Sequence, residues 1–165
     1  MFYPDDSFRR VTDISAGYLR EKGIAFLALD VDNTLAISEH PVPADGVEDW
    51  LRSLREAGIQ AMILSNNRPE RVKPFAKRLG LPYVANGLKP LGRGFERCRR
   101  LFGCPKSEMA LVGDQLLTDI WGARWYGVRA ILVEPIELED VWFFRCKRVI
   151  ERMLMRGWKQ EEQKK

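Results

Sequence analysis

Four short stretches of this 165-residue chain carry residue types suited to chemistry on a phosphate. Asp30 and Asp32 stand two apart in "LDVDNTLA". Ser65 and Asn66 open "SNNRPE", Lys89 sits in "NGLKPLG", and Asp114 and Asp119 belong to "GDQLLTD". A carboxylate such as Asp30 can attack phosphorus and hold the group as an aspartyl-phosphate, dividing hydrolysis into two easier steps. If the backbone stays extended, side-chain direction repeats every second residue, so Asp32 faces the same side about 7 Å along. From there it would protonate the leaving oxygen and later deprotonate the attacking water. Two carboxylates and a phosphate repel one another unless a cation intervenes. Mg²⁺ accepts one or two carboxylates and bridges to substrate phosphate, and Asp114 would complete such a site. Ser65 and the backbone N–H of Asn66 would bond phosphate oxygens. Lys89 would hold the phosphate as a point charge and stabilise transition-state charge.

Singly, these signals are ordinary. An Asp-x-Asp after an apolar run is commonly a turn, Ser-Asn-Asn is a good helix N-cap sequence, and one Lys-Pro or Gly-Asp says almost nothing. Their order on successive strands is what points to a site. "IAFLALD" (24–30) is a nearly unbroken apolar run, as expected of a strand covered on both faces. "GVEDWLRSLREAG" places Val47, Trp50, Leu51 and Leu54 at helical spacing before Gly58. The strand "QAMILS" follows, then a helix over "PERVKPFAKRLG" with Val72, Phe75, Ala76 and Leu79 on one face. Pro74 leaves its first turn uncertain. A strand at "PYVA", a helix over "GFERCRRLFG", the strand "MALVG", a helix over "LLTDIWGARWYG", the strand "VRAILVE" and a final helix from about residue 137 complete the pattern. Five strands alternating with helices imply a parallel α/β sheet with right-handed crossovers. Ligands of such sheets sit beyond the carboxyl ends of the strands, where all four stretches fall.

One domain spanning 1–165 is expected, since the chain is long enough for one sizeable core and hardly for two. With 45% hydrophobic and 30% charged residues it has a soluble globular profile. No apolar run reaches membrane-spanning length and the acidic start is no signal peptide, so a cytoplasmic protein is expected. Cys98, Cys104 and Cys146 lack Cys-x-x-Cys spacing and read as reduced thiols. The net charge of +4 is uneven: from Arg145 onward eight Lys or Arg face three Glu, leaving the rest near −1. In "VWFFRCKRVIERMLMRGWKQ" an apolar face (Trp142, Cys146, Val149, Ile150, Met153) lies beside Arg145, Lys147, Arg148, Arg152 and Arg156. This basic amphipathic segment either packs on the sheet or lies at an anionic membrane.

On these motifs the sequence resembles the haloacid dehalogenase (HAD) superfamily of phosphotransferases. "DVDNT" fits its first motif, Ser65 the second, Lys89 the third and "GDQLLTD" the fourth. The resemblance implies a Rossmann-like sheet of order 5-4-1-2-3 and an Mg²⁺-dependent phosphoaspartyl mechanism. The metal would be bound by Asp30, the backbone carbonyl of Asp32, and Asp114. Thr34 would support the loop and the phosphate, and Asp119 would lie behind the metal or pair with Lys89. An acid at position 32 favours a phosphatase or phosphomutase over the family's ATPases and dehalogenases.

The segments between Thr34 and Ser65 and between Asn67 and Lys89 are too short for a cap domain, so an open site is expected. An open site suits a phosphate carried on something large. "VTDI", "SNNRPERVKPFAKRLGLPYVANGLKPLGRGF" and "VGDQLLTDIWGA" resemble the YqeG family of HAD subfamily IIIA, which is similar to mitochondrial phosphatidylglycerophosphate phosphatases. That resemblance implies a phosphatidylglycerophosphate substrate, a lipid headgroup at the inner face of a membrane, and no nucleic-acid partner. The rivals are a HAD phosphatase for a soluble phosphate, a phosphoprotein or a nucleic-acid terminus, and a non-enzymatic module phosphorylated on Asp. The last fits poorly, because a receiver domain carries its phosphorylated Asp after the third strand, where this chain has Lys89. His40 falls in a flap and is not expected to be catalytic.

Overall fold

A computed structural model describes residues 3–137. The expected helix from about residue 137 lies outside them. A parallel sheet runs β1 (Asp6–Phe8), β2 (Phe26–Leu29), β3 (Gln60–Leu64), β4 (Tyr83–Val84), β5 (Met109–Gly113) and β6 (Arg129–Val133), in spatial order β1-β6-β5-β2-β3-β4. Five of these are the expected strands in the expected order. The sixth, β1, is a correction: it pairs Asp6, Ser7 and Phe8 with Ile131, Leu132 and Val133 at the sheet edge. A three-residue polar edge strand carries no apolar period, so pattern alone passes over it.

Side-chain alternation on the strands sorts the core into two layers. Leu27, Leu29, Ile63, Ala110, Val112, Ile131 and Val133 pack with Leu19 of α1 (Ala16–Glu21), with Trp50 and Leu54 of α2 (Val47–Glu56), and with Phe75 and Leu79 of α3 (Pro69–Leu79). The alternate residues Ala28, Met62, Leu64, Met109, Leu111 and Ala130 meet Phe95 and Cys98 of α4 (Gly92–Phe102) and Ala123 of α5 (Trp121–Tyr126). Period two on the strands and period 3.6 on the helices thus produce an α/β/α sandwich. Pro74 lies within α3, which starts at Pro69, a favoured first position. The stretch expected as one helix over 116–127 is divided into a π turn, Leu116–Ile120, and then α5. Cys98 and Cys104 are free and buried, and burial pushes the Cys98 thiol up to about 12.

No cap domain interrupts the described residues. A short loop joins Ala36 to α2, and only α3 and β4 separate Asn67 from the Lys89 loop. None of the described helices is long and apolar enough to cross a membrane.

Candidate active site

Asp30 follows the last residue of β2, its N–H donating to the Val112 carbonyl at 3.0 Å, so the sheet ladder carries it to the strand's end. The chain then wraps tightly: the N–H groups of Thr34, Leu35 and Ala36 all donate to the Val31 carbonyl, and Asn33 turns the backbone at φ 59°. Asp30 and Asp32 open into one cavity of about 140 Å³, shared with Ser65, Asn66, Asn67, Lys89, Gln115, Thr118 and Asp119. That is small beside the roughly 300–1,000 Å³ of pockets that engulf a whole small ligand.

The floor of the cavity is ionic and buried. The Lys89 ammonium donates to Asp30 and to Asp119, both at 2.6 Å, with 2% of its side chain exposed. Burial opposes its charge, but the Asp119 and Asp30 carboxylates outweigh that and raise its pKa above the ordinary lysine value. For Asp30 burial dominates and moves the carboxyl upward; Lys89 opposes, while Asp119 and Asp32 add to the rise. Carboxylate oxygens of Asp30, Asp114 and Asp119 all lie within 4.8 Å of one another. Lys89 is shared between Asp30 and Asp119, and Asp114 crowds a third buried carboxylate against them. Hard oxygen donors at that spacing fit a small divalent cation such as Mg²⁺.

Local sequence explains how these groups come so close. A Cβ at Gly113 would lie 2.7 Å from Asp119 Cβ, so only glycine lets Asp119 rest against the end of β5. The π turn presents Asp119 there, and its second oxygen accepts from the Gln115 N–H at 3.1 Å. Such turns recur at functional sites. A Cβ at Gly94 would run into the Gly87 carbonyl oxygen, so glycine also lets α4 press against the segment leading to Lys89. The Asn66 side chain secures that segment, donating to the Lys89 carbonyl (3.0 Å) and accepting its N–H (2.7 Å).

The rim is arranged differently. One Asp32 oxygen accepts from the Glu39 N–H (2.8 Å) and Arg71 Nη2 (3.1 Å), and the other from Asn67 Nδ2. The same Arg71 nitrogen donates to the His40 carbonyl at 3.0 Å, tying the flap to α3. Ser65 Oγ accepts from the Asn67 N–H at 3.1 Å, leaving its proton for another acceptor.

Asp30, Asp32, Ser65, Asn66, Lys89 and Asp119 therefore meet around one cavity, and Asp114 joins the carboxylates at its base. Asp119 pairs with Lys89, one of its two expected positions. Thr34 is not brought to the cavity. It is 3% exposed, finds no hydrogen-bond partner for its hydroxyl among the described residues, and lines a neighbouring groove with Arg9, Arg10 and Glu134. His40 is an exposed flap residue. The link of Arg71 and Asn67 to Asp32 escaped the sequence reading. Only Asn67's place two residues after Ser65 hinted at it, and Arg71, in the first turn of α3, resembled the other surface basic residues.

Residues 8–127 match the haloacid dehalogenase-like hydrolase family. Over 160 residues the chain is 33% identical to the Bacillus subtilis protein "Probable phosphatase YqeG", covering 97% of this chain and 93% of that one. It is 30% identical over 127 residues to the chloroplastic phosphatidylglycerophosphate phosphatase 1 of Chlamydomonas reinhardtii, covering 72% of this chain. The chain spans about half the length of that relative, 47%. A crystal structure of an uncharacterized Listeria monocytogenes protein superposes with a TM-score of 0.58 at 21% identity, covering 72% of this chain and 85% of that one, a likeness of fold.

Proposed function

The chain belongs to the haloacid dehalogenase-like hydrolase family and is a phosphatase; on that premise we propose that it hydrolyses a lipid phosphomonoester through Asp30. The observation that carries the chemistry is the buried floor, where Lys89 bridges Asp30 and Asp119 beside Asp114. Asp30 attacks phosphorus as the ester P–O bond breaks, and Asp32 gives its proton to the departing alkoxide. Asp32 then takes a proton from water as that water attacks the aspartyl-phosphate, releasing inorganic phosphate and restoring Asp30. Ser65 Oγ–H, the Asn66 N–H and Lys89 receive the phosphoryl oxygens. Mg²⁺ held by Asp30, Asp114 and the Asp32 carbonyl would supply the positive charge that lets a dianion approach these carboxylates. Both Asp32 oxygens are engaged by the rim, so proton delivery requires the Asn67 or Arg71 contact to yield as substrate enters.

The substrate reading is phosphatidylglycerophosphate, cleaved to phosphatidylglycerol. It is supported by the small uncapped cavity, which has room for a phosphoryl head with its carrier outside, and by the similarity to an algal phosphatidylglycerophosphate phosphatase. An inner-face peripheral location would follow from such a substrate. The test is a phosphate-release panel with Mg²⁺: phosphatidylglycerophosphate in micelles beside glycerol, sugar and nucleotide phosphates. Preference for the lipid is expected. A lipid no better than glycerol phosphate overturns the substrate, and activity unaffected by EDTA overturns the metal.

A further inference from the structure

Two leucines beside Lys89 occupy positions where the backbone asks for something else. Leu88 has φ 56°, in the left-handed region that suits glycine or asparagine, and 51% of it is exposed. The chain obeys that preference two residues earlier, where Asn86 takes φ 48°. Leu91 is the N-cap of α4 with no side-chain cap bond, a position that favours Ser, Thr, Asp or Asn, and it too is 51% exposed. A hydrogen bond of 2.7 Å from the Leu91 N–H to the Leu88 carbonyl holds the pair in one turn around Lys89 and Pro90. Both residues forgo local stability while leaving about half of their surface in water. Local rules broken at two exposed apolar positions side by side point to an external partner.

The charges around them have the same character. Arg93 is in the first turn of α4, where the helix dipole disfavours a cation and no acid is present. Arg68 caps α3 without a side-chain bond, two residues after the Asn66 that is tied to Lys89. Both are exposed, and neither forms an ion pair with a described carboxylate, although Glu70 stands in the first turn of α3. A second tie, from the Asn86 N–H to the Asn67 carbonyl at 2.9 Å, binds the two loops into one edge.

We propose that this edge of the catalytic mouth, Leu88 and Leu91 with Arg68 and Arg93, docks on a bilayer surface containing anionic lipid. Exposed leucines enter the acyl boundary while arginines meet the headgroup charge, so the cavity opens toward the membrane. This rests on the lipid-substrate reading above and assigns the membrane contact to catalytic-face loops rather than to the C-terminal segment alone.

Flotation of the full chain with phosphatidylcholine vesicles, with and without phosphatidylglycerol, tests it without turnover. The double variant Leu88→Asn/Leu91→Ser should partition on the order of tenfold less onto the mixed vesicles, since two half-exposed leucines no longer insert. Its melting temperature should hold or rise, and its hydrolysis of a small aryl phosphate should be unchanged. Arg68→Ser/Arg93→Ser should remove the preference for anionic over neutral vesicles. Flotation equal to wild type in the leucine variant would overturn the proposal. So would weaker flotation with a lower melting temperature, because the leucines would then be packing residues. Flotation with no phosphate release from any substrate would instead sink the functional reading and leave the docking edge standing.

Discussion

Asp30 and Asp32 are separated by one valine, yet the floor and the rim of the cavity treat them differently. The floor is dry: Asp30 leans on an ammonium that is shared with a second carboxylate, and burial works against its charge. The rim is partly open: Asp32 is surrounded by a backbone N–H, an amide and a guanidinium, with 19% of its side chain exposed. A dry, under-hydrogen-bonded carboxylate is suited to bonding phosphorus, whereas one held by donors at the mouth can exchange protons with alcohol and water. The difference is set by depth, because β2 carries Asp30 into the sheet and the turn after Val31 lifts Asp32 out of it.

The largest expected effect comes from removing Asp30, the nucleophile proposed at the floor. Asp30→Asn should lower phosphatase activity on the order of 10⁴-fold or more, read as steady-state phosphate release. The same variant should melt higher than wild type without metal, since it removes one of three crowded buried carboxylates; adding Mg²⁺ should narrow that gap. Asp30's folded pKa is raised, so its contribution to metal-free stability is present at acid pH. It is lost as pH rises from the ordinary carboxylate value of about 4 toward neutrality. Stability of wild type minus Asp30→Asn should therefore fall across that window, and a flat difference would break the contrast drawn for the floor.

Next comes Lys89→Met. It should cut activity about 10²–10³-fold and, unlike Asp30→Asn, destabilise by about 3–5 kcal/mol, because two buried carboxylates lose their cation. Breaking one ion pair from its two ends would thus move stability in opposite directions, measurable by denaturant titration. At the rim, Asp32→Asn should cost about 10²-fold or more with an alkyl phosphate and far less with an activated aryl phosphate, whose leaving group needs no proton. Equal losses on both substrates would remove the proton role. Arg71→Met should cost only about tenfold, through a less well-held Asp32. The smallest effect is expected far from the cavity, where Glu96 meets Arg99, Arg100 and Tyr126 in a partly exposed cluster. Glu96→Gln should leave activity unchanged and stability nearly so, since water already screens those charges.

Much of this arrangement was legible in sequence because it depends on local order. Apolar runs ended at Asp30, Ser65 and Asp114, and strand ends are where open parallel sheets collect ligands. The Gly-Asp pair also carried information whose meaning emerged in three dimensions, since Gly113 makes room for Asp119. Three features were not legible. β1 is too short and polar to show a period. The π turn has the composition of an ordinary helix. Arg71 reaches Asp32 across 39 positions of chain, a pairing that no spacing rule encodes.

By itself the sequence determined the alternation of strands and helices and which chemical groups stand at their ends. Those follow from periodicity and from the covalent neighbours of each residue. Tertiary structure decided the rest: that Lys89 serves Asp30 and Asp119 together, that Thr34 turns to another groove, and that Leu88 and Leu91 stay in water beside the mouth. Those outcomes depend on distance and burial between segments remote in the chain, and electrostatic strength and solvent exposure are properties of that packed arrangement.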